Sequence, residues 1–192
     1  NFPYVVFGRT NLPFDYPFVD EDGIAGMRLL VQHLADLGHT RIGFIMPPAG
    51  LMFSQYRLQG YYEAMADNEL PVVPDWIVEG DLTQHSGAEA AKQLLAISPR
   101  VTAVICGNDL MAMGAINQMQ QQALSVGSDI AVAGFDDIPS SAYVNPPLTT
   151  LHQPIYDIGR QTCAMLIDLV NGRTPESQNV LLTPTLIIRA SS

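Results

Sequence analysis

The sequence predicts an α/β protein built on a parallel sheet. Apolar runs of strand length alternate along the chain with segments of helical periodicity, which is the pattern of β-α-β units. The chain has 192 residues, and 47% of them are hydrophobic. A chain of this length and composition buries a sizeable core, either in one large domain or in two lobes.

The elements of the first half follow from apolar spacing and stop residues. Residues 4–7 form an apolar run and are predicted as a strand. A helix is predicted at 22–37, because apolar residues recur there at helical spacing and Gly38 follows as a stop. Next in order are a strand at 41–45, an irregular stretch at 46–54, a helix at 57–68 and a short strand at 76–78.

The second half repeats this alternation and contains the clearest strands. Ser86 and Glu89 form a Ser-x-x-Glu pattern, which predicts a capped helix start. The runs 101–106 and 130–134 are apolar throughout and are predicted as buried strands. In order, we predict a helix at 86–96, a strand at 101–106, a helix at 109–122, a strand at 130–134, a polar loop at 136–147, an extended segment at 149–151, a helix at 154–171 and a strand at 181–188.

The charge balance argues against direct binding to nucleic acid or to a membrane. Nine basic and 19 acidic residues give a formal net charge of −10, and an acidic chain is repelled by DNA, RNA and anionic lipid. No apolar stretch reaches transmembrane length, and no signal segment opens the chain. The chain starts at Asn1 without a methionine, so we expect a larger protein in which another segment would bind any DNA.

No residue pattern predicts catalysis, a metal site or a cofactor. Cys106 and Cys163 are expected to be buried free thiols in a reducing compartment, since neither lies in a Cys-x-x-Cys spacing. The four histidines lack the spacing of metal ligands. No serine lies in a nucleophile elbow, and no Gly-rich phosphate loop is present. We therefore expect no enzyme activity.

Two polar residues follow the two clearest strands. Asn108 comes just after the run 101–106, and Asp136 comes just after the run 130–134. In an open parallel sheet, ligands bind beyond the carboxyl ends of the strands. No nucleophile or partner base accompanies these two residues. They are therefore predicted to hydrogen-bond a small polar molecule rather than to perform chemistry.

Several short motifs follow one another along nearly the whole chain. They are Leu37-Gly38-His39-x-Arg41-Ile42, Arg57-Leu58-x-Gly60-Tyr61, Glu79-Gly80-Asp81, Asn108-Asp109-x-Met111-Ala112, Gly134-Phe135-Asp136-Asp137, Pro146-Pro147-Leu148-Thr149-Thr150 and Gln153-Pro154. In this order and with these gaps, they resemble the effector-binding domain of the lactose-repressor/galactose-repressor (LacI/GalR) family of bacterial transcription regulators.

The resemblance implies a two-lobed, periplasmic-binding-protein-like (type I) fold, mainly the carboxy-terminal lobe with part of the amino-terminal lobe. Residues 39–148 and 179–192 would form the carboxy-terminal lobe, and residues 1–21 and 152–175 would be remnants of the other. The family also implies a cytoplasmic homodimer, a small sugar-like effector bound between the lobes, and a headpiece that binds operator DNA. That headpiece is absent from this sequence.

The matching motifs also imply which residues bind the ligand. Arg57 would face the cleft, where its rigid fork of donors suits hydroxyls or a carboxylate; the alternative is a surface arginine on a helix. Asp136 would accept hydrogen bonds from the effector or form a turn. Asn108 would bind the effector, cap the next helix, or do both. The remaining predicted ligand-binding residues are Arg9, Phe53, Leu82 and Gln153.

The last three of these positions have competing interpretations. Family members commonly carry an aromatic residue where this chain has Leu82, so stacking on a sugar ring would be replaced by aliphatic packing. Phe53 would then supply the ring, or it would lie in an exposed loop. Gln153 would bind the effector or pack in the hinge between the lobes.

Other functions and effectors stay open at this point. A periplasmic sugar-binding protein of a transporter shares the fold, although the segment 146–154 looks more like the regulators. An enzyme of the nucleotide-binding α/β class would need a phosphate loop that the chain lacks. An arginine, a carboxylate and an amide suit hexoses, disaccharides, glycosides or sugar phosphates, so the effector itself is not specified.

Overall fold

The computed structural model describes residues 2–192 and confirms the α/β fold with parallel sheets. Five α-helices lie within these residues: α1 (Gly23–Asp36), α2 (Met52–Asp67), α3 (Gln84–Ala96), α4 (Asp109–Gln121) and α5 (Ile155–Val170). The strands are β1 (Val6–Phe7), β2 (Phe18–Glu21), β3 (Ile42–Met46), β4 (Ile77–Glu79), β5 (Ala103–Cys106), β6 (Ala131–Ala133), β7 (Thr150–His152), β8 (Asn179–Leu182) and β9 (Thr185–Ile187).

A four-stranded parallel sheet in the order β4-β3-β5-β6 forms the centre of the molecule. Side chains of a strand alternate between its two faces, so neighbouring residues enter different cores. Phe44 and Ile105 pack with α1 and α2, whereas Ile45 and Val104 pack with α3 and α4. Because both faces are covered by helices, these strands are apolar throughout, which explains why they are clear in the sequence.

A separate three-stranded parallel sheet has the order β1-β2-β8. Helix α5 packs on it through Ile158 and Met165, which meet Val19 of β2 in a small apolar cluster. A third, antiparallel pair joins β7 to β9, and Thr149, the residue before β7, bridges to Ala133 at the end of β6. The chain therefore has two parallel sheets with a cleft between them.

Three short connections carry the chain between the three-stranded sheet and the rest of the molecule. The first is Asp22, which caps α1 by accepting a hydrogen bond from the Ala25 amide at 2.9 Å. The second is Gln153–Pro154 between β7 and α5, and the third is Thr183–Pro184 between β8 and β9. The lobe boundaries predicted above stay a prediction. Near the last of them, at residue 179, strand β8 pairs with β2 of the three-stranded sheet, and after Thr183–Pro184 strand β9 pairs with β7.

The structure corrects two predicted helix starts. Helix α2 begins at Met52, so the prediction of an irregular stretch up to residue 54 and a start at 57 is wrong. Its N-cap, Leu51, forms no side-chain cap bond, and the sequence therefore carries no start signal there. Helix α3 begins at Gln84, and its cap is Thr83, which accepts a hydrogen bond from the Ser86 amide. Ser86 is therefore not the capping residue.

Three further expectations differ from the structure. Strand β2 was not predicted, because a four-residue strand with two acidic residues lacks an apolar run. The single strand expected at 181–188 is two strands in different sheets, separated by Pro184, which cannot donate to a ladder. Cys106 is buried as expected, but Cys163 is exposed, because it lies on the side of α5 that faces away from the sheet.

Candidate functional site

A cavity of about 580 Å³ lies between the carboxyl ends of β3, β5 and β6 and the three-stranded sheet. It is the place where an open parallel sheet binds ligands. Segments far apart in the sequence meet there, and the cavity brings together all seven residues predicted to bind the ligand. These are Arg9, Phe53, Arg57, Leu82, Asn108, Asp136 and Gln153.

Arg57 lines the cavity and is held by several contacts. Only 4% of the residue is exposed, which excludes the alternative of a surface arginine. Its guanidinium donates to the Gly107 carbonyl and to the Glu21 carboxylate. It also lies between two rings, with 3.6 Å to the Phe135 centroid and 4.8 Å to the Phe53 centroid. The cation is therefore fixed in position before any ligand arrives.

Glu21 is a cavity residue that the sequence did not reveal. It ends β2, and only 6% of it is exposed. One carboxylate oxygen accepts from Arg57, while the other, Oε2, is buried without a hydrogen-bond partner within residues 2–192. A signal did exist, because the apolar pair Phe18-Val19 is followed by two acids and a helix cap. The same arrangement of an apolar run before polar residues pointed to Asn108 and Asp136.

Asp136 follows β6 and faces the cavity in an unusual backbone conformation. Its φ of 131° lies in a region that residues other than glycine rarely adopt. Such strain costs about 1–3 kcal/mol and is concentrated at functional sites. Gln153 donates to its Oδ1 at 2.5 Å. Burial raises the pKa of Asp136 to about 7, against the opposing charge of Arg57, and Asp109 and Glu21 add to the rise.

The raised pKa of Asp136 predicts a pH-dependent stability. The folded protein holds this proton up to about pH 7, whereas the unfolded chain loses it near the ordinary value of 3.8. Between these values the folded state binds more protons, so this group's contribution to the free energy of unfolding falls as the pH rises. Urea unfolding of Asp136→Asn between pH 4 and pH 8 should lack this decline. Curves of equal slope for the variant and the wild type would contradict the assignment.

Asn108 uses both ends of its amide. Its Oδ1 accepts from the Met111 amide at 2.8 Å and caps α4, in agreement with the predicted capping role. Its Nδ2 donates to the Leu82 carbonyl at 3.0 Å, which fixes the loop that carries Leu82 into the cavity. Capping is therefore shown. Because an amide nitrogen has a second N–H, Asn108 still has a donor for a ligand.

Arg9 lines the opposite wall and is paired within its own sheet. Its Nε donates to the Asp20 carboxylate at 2.8 Å, and its guanidinium lies 3.5 Å from the ring centroid of Tyr56 on α2. Asp20 was not predicted because β2 was missed, and Tyr56 was not predicted because the start of α2 was placed at residue 57. The contact with Tyr56 bridges the three-stranded sheet and α2 across the cleft.

Two carboxylates beside the cavity have structural partners. Asp109 is fully buried and accepts from the Ser141 and Thr150 hydroxyls and from the Ile138 amide. Asp137 pairs with Arg189 at 2.7 Å and with His152 at 3.0 Å. These bonds tie α4, the loop after β6 and the end of the chain together. They hold Asp136 in its position without entering the cavity.

The described part of the chain shows neither a metal site nor a membrane-spanning helix. Residues 2–192 contain no group of three or more His, Cys, Asp or Glu side chains placed to hold a metal ion. No helix among them has the length and apolar character needed to span a membrane.

Comparisons with known proteins agree with this geometry. Residues 31–192 match the family model described as a periplasmic binding protein-like domain. A regulatory protein of the LacI family from Chloroflexus aggregans has a TM-score of 0.95 and 43% identity, covering 99% of this chain and 68% of that chain. The chain belongs to the LacI family. The resemblance drawn from the motifs is therefore confirmed.

Two further LacI-family comparisons show what these relatives are. The HTH-type transcriptional repressor CytR of Escherichia coli (strain K12) is 38% identical over all of this chain, which spans 57% of that repressor. The solved complex of the transcriptional regulator CelR with cellobiose has a TM-score of 0.92 and 34% identity, covering 99% of this chain and 59% of that one. These relatives are regulators, which favours the regulator interpretation over the transporter one.

Leu82 stands where the resemblance implied an aromatic residue. Its backbone has a φ of 72°, and its partly buried side chain packs against the core formed with α3 and α4. It thus presents an aliphatic edge to the cavity. Phe53 lies on the first turn of α2 rather than in an exposed loop, and its ring is engaged with Arg57. Whether either side chain contacts a ligand stays a prediction.

Proposed function

We propose that the chain is the effector-binding domain of a transcriptional repressor, which binds a sugar-like molecule between its two parallel sheets. One observation carries the proposal: the seven residues predicted to bind the ligand, which come from separate segments of the chain, line one cavity. The family membership and the cellobiose complex of the related CelR support it. The regulatory activity belongs to the intact protein, since the chain spans 57% of the length of CytR.

The proposed contacts divide between the two sides of the cleft. Arg57, Asn108 and Asp136 would bind ligand hydroxyls from the four-stranded sheet, with Leu82 and Phe53 against the apolar face of the sugar. Arg9 and Gln153 would bind from the other side. A ligand that contacts both sides stabilises one arrangement of the sheets over another, and it shifts the equilibrium by its difference in affinity for the two. The effect on DNA binding is reciprocal.

The remaining parts of the proposal concern the intact protein. We propose that it acts in the cytoplasm as a homodimer, that operator DNA is bound by a headpiece outside these residues, and that the domain catalyses no reaction. The net charge of −10 supports a separate DNA-binding segment. Exposed apolar side chains on α5, such as Ile155, Tyr156 and Val170, support a covered surface in the assembly.

The test is operator binding by the intact protein in the presence of sugars. DNA from upstream of its own gene is titrated with the protein while cellobiose and a panel of mono- and disaccharides are added. We expect one sugar to change the operator affinity, typically by about 5- to 150-fold for a coupling of 1–3 kcal/mol. Sugar binding without any DNA binding would instead favour the transport-type binding protein.

A further inference from the structure

Both arginines of the cavity are already paired with carboxylates of strand β2. Arg57 pairs with Glu21, and both are buried. Arg9 pairs with Asp20 at 2.8 Å, and each side chain is 13% exposed. The acids are adjacent residues of one strand, so a single element neutralises both cations. With Asp136 added, the cavity is lined by three acidic and two basic side chains, and it has no surplus positive charge for an anion.

The Arg57–Glu21 pair is the harder of the two to separate. It is excluded from water, and a buried charge without its partner carries a large desolvation cost. A phosphate or carboxylate that took Arg57 for itself would leave the Glu21 carboxylate buried and facing a second negative charge. An uncharged ligand has no such effect, since it leaves the pair intact.

The same pair keeps unused groups that suit a neutral ligand. Glu21 Oε2 and Arg57 Nε are both buried and have no hydrogen-bond partner within residues 2–192. One is an acceptor and the other a donor, while their charges cancel. A hydroxyl group can both donate and accept a hydrogen bond, so it complements this pair without adding charge. A phosphate or a carboxylate adds a negative charge that the neutral pair cannot balance.

We propose that Glu21 determines the class of ligand: by neutralising Arg57 it restricts the cavity to uncharged, hydroxyl-bearing molecules and excludes sugar phosphates and sugar acids. This inference rests on the ligand-binding role of the cavity proposed above. It narrows the range of effectors that the sequence left open. It also gives a function to a buried cavity carboxylate that the motifs did not identify.

The test uses inorganic phosphate as the probe and the full-length protein. Glu21→Gln keeps the size of the side chain but leaves Arg57 with its charge unpaired. We expect isothermal titration calorimetry to show phosphate binding at least about tenfold tighter in this variant than in the wild type, because hydrogen bonds to an ionised partner are the strong ones. The gain should disappear in the double variant Glu21→Gln/Arg57→Gln.

Glu63→Gln is the matched control, because Glu63 also pairs with an arginine, Arg28, but lies at the surface away from the cavity. It should bind phosphate as weakly as the wild type. Glu21→Asn serves as a second variant if the glutamine variant does not fold. Phosphate binding by the wild type that equals that of the variants, or no gain in a folded variant, overturns the proposal. The assay needs neither DNA nor a sugar, so it can be read whether or not the repressor function holds.

Discussion

Arg57→Ala is expected to lower the free energy of unfolding by about 3–5 kcal/mol, the range for removing one partner of a buried ion pair. Glu21 would then remain buried with an uncompensated charge, and Phe53 and Phe135 would lose the cation between their rings. Urea unfolding of the wild type and the variant measures the difference. This loss makes the variant a poor probe of ligand contact, since a missing effector response would also follow from misfolding.

Arg28→Ala is the matched control for this measurement. Arg28 also forms two ion pairs, with Glu63 at 2.8 Å and Asp67 at 3.1 Å, but its side chain is half exposed. Surface pairs of this kind are worth at most about 1 kcal/mol. The variant Arg57→Met/Glu21→Gln should regain much of the stability, because no buried charge is left unpaired. A loss for Arg57→Ala as small as that for Arg28→Ala would contradict the buried-pair argument.

Asp136→Ala is expected to weaken binding of the effector sugar by about 5- to 150-fold, because a ligand hydroxyl left without its hydrogen-bond partner costs about 1–3 kcal/mol. Operator binding without sugar should survive, because within residues 2–192 the Asp136 side chain bonds only to Gln153, and the alanine variant keeps the bond from the residue 136 amide to the Leu151 carbonyl. The measurement is operator affinity at rising concentrations of the sugar identified in the titration above.

Asp137→Ala separates a binding effect from a general effect of losing a carboxylate in this loop. Asp137 follows directly in sequence, but it pairs with Arg189 and His152 and does not line the cavity. The variant should lose stability yet keep the sugar response of whatever protein remains folded. A full wild-type response in Asp136→Ala would remove Asp136 from the site.

The strand-end residues could be predicted because of how the four-stranded sheet is buried. Helices cover both of its faces, so β5 and β6 are uninterrupted apolar runs, and Asn108 and Asp136 are the first polar residues after them. The local sequence is sufficient for such an inference. The local pattern could not predict that Arg57 faces the cavity, since α2 has no cap signal. The family motif that begins at Arg57 was the only indication of this role.

The partners of the predicted residues depend on contacts between distant segments. Strand β2 exists because Phe18–Glu21 pairs with Asn179–Leu182 near the other end of the chain, and no local pattern reveals such a pairing. Glu21 and Asp20 were missed because the local signal before them, the pair Phe18-Val19, is too short to predict a strand without that pairing. The strained φ of Asp136 was equally invisible, because it results from the bonds that surround the loop after β6. The sequence thus predicted the cavity residues that follow the four-stranded sheet better than those on strand β2.

The three connections between the sheets also determine where the molecule can pivot. Two of them contain a proline, whose φ is fixed, so a rotation must be absorbed by the few residues around Asp22, Gln153 and Thr183. Gln153 is one of these residues and Glu21 precedes another, and both line the cavity. A ligand that contacts them would therefore bind close to the axis about which the two sheets rotate. Small shifts at the cavity would then become larger displacements at the far edges of the two sheets.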